Sequence, residues 1–339
     1  MTSEPGSPAP RRFSLQSASL RLRSPGWERT LLVGAALWLG AVVTTAMTRD
    51  IVLVPSVILL GSFLAPVTIA AYELEHLQGS HLSALDIVRA FVVGGVIGML
   101  AAALIETYLL GTGPLKYFGV GLIEEGTKAI ALMVVARHVA TRNTRTGLLL
   151  GAALGCGFAA FESAGYAFNV LISNAQAPLE PMLETQMLRG VLTPFGHALW
   201  TAILSAVLFQ AAGRNRRPGE FPHWRITFPV IGTYLLVSVL HGLWDSMQGI
   251  AMGLALVLTG NQWNPSIPVT TYLAQATNLQ AHLTALFDWT GLVIISAVAL
   301  FVLHLLRRKA RAEVPHPREH GRASAVCGHS PTHTRSHLR

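Results

Sequence analysis

Eight stretches of this 339-residue chain are long and apolar enough to cross a bilayer core of about 30 Å. They run roughly 30–47, 51–72, 84–110, 116–138, 146–172, 189–212, 228–250 and 283–306. Nothing else constrains the fold as strongly. In hydrocarbon every backbone N–H and C=O must be satisfied inside the chain, and apolar runs of this length do so as helices. The expected fold is all-α: a polytopic transmembrane helix bundle of about eight spans. Composition agrees, with only 12% charged residues where a soluble domain has about a quarter. That excludes an ordinary soluble enzyme, a disordered protein and a disulfide scaffold. The two cysteines lie apart in character, Cys156 in an apolar run and Cys327 in a polar tail, so no disulfide is expected.

Charge divides the chain further. Residues 1–29 read as a disordered cytoplasmic tail, and 30–47 as an uncleaved signal anchor. Residues 30–306 read as the membrane domain, and 307–339 as a basic, His-rich disordered tail. The tail's His316, His320, His329, His333 and His337 read as a solvated tract rather than a metal site. Arginines gather in alternate loops: the N-terminal tail, Arg137/Arg142/Arg145, Arg214/Arg216/Arg217/Arg225 and Arg307-Arg308-Lys309. The opposite loops, 48–50, 111–115, 173–188 and 259–282, hold only Arg49. This bias places both termini in the cytoplasm. It also accounts for the net charge of +8 without a nucleic-acid partner. The setting implied is a multi-pass protein of a bacterial cytoplasmic membrane, with the lipid bilayer as its first partner.

Ionisable residues inside a span cost roughly 2.5–3.5 kcal/mol each at a helix centre, so each needs a reason. Segment 4 carries Glu124, Glu125 and Lys128, segment 5 Glu162 and Tyr166, segment 6 His197, and segment 7 His241 and Asp245. Within each helix these residues are three or four apart and share a face. Counted from the helix ends, all four groups sit about 12–15 Å below the outer surface. Segments running in both directions thus converge on one polar layer. Glu106, Asp86, Arg89 and Asp288 lie nearer helix ends and read as interfacial, and Trp200 and Trp244 as packing residues.

Two imidazoles level with several carboxylates suit metal-assisted hydrolysis. A catalytic Zn²⁺ site uses three protein ligands and keeps a position for water. A separate carboxylate then moves the proton. A metal-free version also fits, in which a Glu activates water and the histidines stabilise the oxyanion. In either, Glu124 or Glu125 is the base, His197 and His241 are ligands or oxyanion donors, and Glu162 is a candidate third ligand. Lys128 neutralises one of the paired glutamates, Asp245 orients His241, and Tyr166 is either a core tyrosine or part of the site. The rival class is a proton-coupled transporter or channel using Glu and His as a relay. Transporters commonly show related halves, and segments 1–3 hold no counterpart of segments 4–7.

At these residues the sequence resembles the PrsW family of intramembrane metalloproteases, relatives of the CAAX-prenyl and bacteriocin-processing membrane proteases. The resemblance rests on Glu124-Glu125-x-x-Lys128, Phe161-Glu162-x-x-x-Tyr166, the stretch from Arg189-Gly190 to Gly196-His197-Ala198, and His241-x-x-x-Asp245. It covers about 116–250, the expected catalytic core. It implies an active site built from the paired glutamates and two histidines. It also implies cleavage of a membrane-protein or peptide substrate, such as an anti-sigma factor. Where the CAAX relatives carry His and Asn, this chain has Tyr166 and Asp245, so no prenylated substrate is expected.

Overall fold

A computed structural model describes residues 26–77, 81–113, 115–173, 179–213 and 223–312. The described residues are mainly helical and contain no strand. Helix α1 spans Trp27–Thr48 and α2 Val54–Glu75. The tight turn expected between them is present. Arg49 closes α1 in the left-handed region (φ 56°), and the Asp50 side chain accepts from Val52 N at 2.9 Å. The third span is α3 (Ala84–Val92) and α4 (Met99–Leu109), joined by a π-helical turn at Val93–Gly98. Then follow α5 (Lys116–Val135), α6 (Thr144–Ser173), α7 (Leu179–Leu192), α8 (His197–Gly213), α9 (Phe228–Leu258), the short α10 (Val269–Leu273) and α11 (Asn278–Ala312).

Among the described residues, seven helical units are long and apolar enough to cross a membrane. The eighth expected segment is α5, 20 residues long, which carries Lys116, Glu124, Glu125 and Lys128. The chain is an integral, multi-pass, all-α membrane protein. Some boundaries differ from the sequence reading. The first helix begins at Trp27, and the last starts at Asn278 and continues through Arg307–Arg311. The stretch 173–188, expected as a loop, is helical from Leu179. The expected sixth span is two helices: Pro194 cannot donate to a helical ladder, and a 3₁₀ turn at Thr193–Phe195 separates α7 from α8. Residues 1–25, 214–222 and 313–339, with their arginines and histidines and Cys327, lie outside the described residues.

Helix α6 is the axis of the bundle. Between Thr144 and Ala160 nearly every residue is buried, and α2, α3, α7 and α8 pack around it. Lipid-facing leucines and valines of α1 and α11 remain exposed at the periphery. Two seams set the separations that matter for the polar layer. On α6, Gly147, Gly151 and Gly155 recur every fourth residue against the backbone of α8 at Ser205, Thr201 and His197. Gly121 of α5 faces the Ser238 carbonyl of α9, and Gly242 of α9 faces Tyr117 and Phe118 of α5. A Cβ at these glycines would collide with partner backbone. Small residues in such rows let membrane helices approach closely, where packing rather than hydrophobicity holds them together.

Candidate active site

On α5 one helical turn presents Glu124, Glu125 and Lys128, all buried. The Lys128 ammonium donates to Glu125 Oε1 at 2.8 Å and to Glu124 Oε2 at 3.1 Å. Its third near neighbour is Nδ1 of His197, at 2.8 Å. Since an ammonium only donates, that Nδ1 accepts, and the His197 proton resides on Nε2. Nε2 in turn donates to Glu162 Oε2 at 2.7 Å.

The helix break puts His197 there. After Pro194 and Gly196 the chain restarts as α8, and His197 is its first residue. Its backbone is pressed onto Gly155 of α6. The side chain therefore lies among α5, α6 and α9, at the positive end of the α8 dipole. The ring packs against Phe158, with centroids 5.3 Å apart, and edge-on to Trp200 at 5.6 Å.

On α9, His241 lies opposite α5, brought close by the Gly121–Gly242 seam. Its Nδ1 faces Glu125 Oε1 at 3.1 Å. Its Nε2 faces Asp245 Oδ2 at 3.3 Å and Glu124 Oε2 at 3.6 Å. Asp245 is one helical turn on, as the spacing predicted. Trp200 covers the imidazole with ring centroids 4.9 Å apart. Packing is thus the visible role of Trp200, and Trp244 supports it from behind.

Glu162 of α6 is held by Arg189, which the sequence reading placed in the family motif without giving it a role. Arg189, three residues before the end of α7, donates through Nη2 to Glu162 Oε2 and through Nε to Ser163 Oγ at 2.9 Å. Its guanidinium stacks on the Tyr166 ring at 4.2 Å, and this contact ties Tyr166 to the cluster. The available signal was an arginine inside a membrane helix, where a charge requires a partner. Glu106 also departs from its interfacial reading. It lies within electrostatic reach of His241, Glu162, Asp245 and Lys128, and its Oε1 is buried with no hydrogen-bond partner among the described residues.

Three ligand atoms, one each from Glu124, His197 and His241, come within 4.8 Å of one another. Glu162, the carboxylate expected to complete a ligand set, instead sits behind His197 on its Nε2. Glu125 sits behind His241 on its Nδ1 in the same way. Each imidazole thus has one nitrogen on a carboxylate behind it, while the other faces Glu124 together with a nearer partner, Lys128 at His197 and Asp245 at His241. That is the arrangement by which carboxylates orient metal-binding histidines. Carboxylates are in excess here: Glu124, Glu125, Glu162 and Asp245, with Glu106 in electrostatic reach, meet the cations Lys128 and Arg189. Beside the trio is a cavity of about 50 Å³, lined by Glu162, Arg189, His197, Trp200 and Asp245 among others. It is polar and has room for water. Glu125, fully buried, does not line it.

The family model described as PrsW family intramembrane metalloprotease matches residues 83–274, more than half of the chain. The chain belongs to the PrsW family. No curated protein and no solved structure matches it at a significant level. The matched region begins at α3 and ends just past α10, so it contains every member of the polar cluster. As a PrsW-family member the protein is an intramembrane protease that acts on membrane-protein substrates in the bilayer. The family's metal dependence implies a divalent cation, and the buried Glu124–His197–His241 group has the donors to bind one. The transporter reading loses its ground, because a PrsW protease accounts for the same buried Glu and His residues.

Proposed function

We propose that this chain is a metal-dependent endopeptidase that hydrolyses a peptide bond of a membrane-associated protein, with Glu124, His197 and His241 holding Zn²⁺. The observation that carries the reading is the pair of imidazoles, each backed by a carboxylate and each turned toward Glu124. Zn²⁺ held by these three residues would supply Lewis acidity toward a carbonyl oxygen and a water molecule. The protein's own groups do the rest. Glu162 and Glu125 fix the two rings. Arg189 fixes Glu162 and closes one wall of the cavity. The cavity lining includes Asp245, beside His241 Nε2, and neither Glu124 nor Glu125, the bases expected from the sequence; in this reading Asp245 takes a proton from water and returns it to the leaving amine. Lys128 balances Glu125 and Glu124.

One observation favours a second reading. The Lys128 ammonium bridges Glu124 Oε2 and His197 Nδ1, two of the three donor atoms a metal would use. In a metal-free mechanism that ammonium stays in place and Glu124 activates water directly. Metal analysis of the purified protein, with cleavage of single-span substrates before and after chelation, decides between them. Stoichiometric zinc and loss of cleavage restored by Zn²⁺ are expected. Full activity with no bound metal would establish the second reading. The family resemblance supports a bacterial cytoplasmic-membrane setting and a regulator of the anti-sigma class as substrate.

A further inference from the structure

A second cavity is separate from the polar cluster. It measures about 580 Å³ and lies on the opposite side of α8, between α2 and α11 outside and α6 and α8 inside. Its inner wall is apolar: Leu148 and Ala152 of α6, Ala198 and Ala202 of α8, and Leu303 of α11. Its mouth is basic. Arg145, Arg307 and Arg311 line it, all three side chains exposed, with His76 beside them. Among the described lining residues the one carboxylate is Glu73, which interacts electrostatically with Arg307 and His76. Three guanidiniums against one carboxylate leave the mouth positive.

The two chemistries are stacked along the helix axes. From Arg311 back to Leu303 on α11 is eight residues, about 12 Å. From Arg145 to Ala152 on α6 is seven residues, about 10 Å. A charged ring thus sits above an apolar slot reaching about a third of the way into a bilayer core of ~30 Å. A soluble anion would use only the ring, and a transmembrane helix only the slot. A phospholipid with an anionic headgroup uses both. Basic pockets between helix ends are a recurrent form of such sites.

We propose that this cavity binds one anionic phospholipid, its phosphate among Arg145, Arg307 and Arg311 and an acyl chain against Ala152, Ala198 and Leu303. The slot runs along the outer face of the first turn of α8, whose inner face presents His197. A lipid seated there braces the helix that carries the histidine.

Native mass spectrometry of the full chain, after delipidation and addition of phosphatidylglycerol or phosphatidylcholine, tests the proposal. One phosphatidylglycerol should be retained in preference to phosphatidylcholine. The double variant Arg307→Gln/Arg311→Gln should bind it roughly 25-fold more weakly, at about fivefold per guanidinium near an anionic group. Glycerophosphoglycerol, the headgroup without chains, should neither compete nor raise the melting temperature. Equal retention of the two lipids by the wild-type protein overturns the proposal whether or not the variant folds. Competition by the chain-free headgroup would make this a free-anion site, and overturn it too. So would displacement of bound phosphatidylglycerol by a single-span substrate, which would make the slot a substrate groove.

Discussion

Nδ1 of His241 lies 3.1 Å from Oε1 of Glu125, which leaves Nε2 as the nitrogen facing Glu124. Two neighbouring glutamates on one helix are thereby separated in role: Glu125 stands behind the imidazole and Glu124 in front of it. Glu124→Gln should lose bound metal and nearly all turnover. Glu125→Gln should keep measurable metal and lose about 10–100-fold, as for an outer carboxylate that orients a ligand. Metal content by mass spectrometry beside single-turnover cleavage separates the two, and identical behaviour would count against the division.

Asp245 faces the small cavity, whereas Glu125 does not. Asp245→Asn preserves size and helix, so metal binding should survive while turnover falls about 10²–10⁴-fold, the usual loss on removing a general base. If Asp245→Asn instead retains near-normal cleavage, the proton is carried by another carboxylate of the cluster, with Glu124 next in line.

Arg189 reaches Glu162 and Ser163 with two different nitrogens while stacking on Tyr166. A lysine keeps the charge but has neither the planar fork nor the stacking face. Arg189→Lys should therefore lower kcat without restoring wild-type cleavage, and Tyr166→Phe should be mild because its ring supplies the contact. Steady-state kinetics on one fluorogenic transmembrane substrate compares all three proteins.

The α6–α8 seam predicts a stability effect away from any charged group. A methyl at Gly155 meets the His197 carbonyl, so Gly155→Ala must push α8 outward. Overpacking of this kind costs about 1–3 kcal/mol. A lower melting temperature in detergent, with a matching loss of metal because His197 moves, is the expected pair of results.

The charge bias of the loops predicts where the substrate is cut. With the Arg-rich helix ends in the cytoplasm, the polar cluster opens toward the other side, and the product should be severed near the outer end of its span. Mapping the new termini by mass spectrometry checks this. A cut at the cytoplasmic end would reverse the orientation.

Much of this was legible in the residues. The all-α, multi-pass class followed from apolar length, because a backbone in lipid has so few ways to satisfy itself. The pairs Glu124/Lys128 and His241/Asp245 followed from helical spacing, since i and i+4 share a face whatever surrounds them. The convergence of four helices on one layer followed from counting residues at 1.5 Å each, which fixes depth. That count treated residues 189–212 as one helix. His197 still reached the layer, although Pro194 and Gly196 break the span just before it.

Spacing along a helix fixes depth and face, and leaves open which neighbour the face meets. That was decided by the tertiary structure, through the glycine seams that set how closely α5 meets α9 and α6 meets α8. Those crossings put Glu124 rather than Glu162 between the two imidazoles, and turned Glu106 from a helix end toward the cluster. They also brought Arg189 of α7 onto Glu162 of α6. Nothing local to either residue encodes that meeting. An arginine near a helix end has the same sequence signature whether its charge reaches water or a buried carboxylate, and only the packing of the helices decides which partner offsets the loss of its hydration.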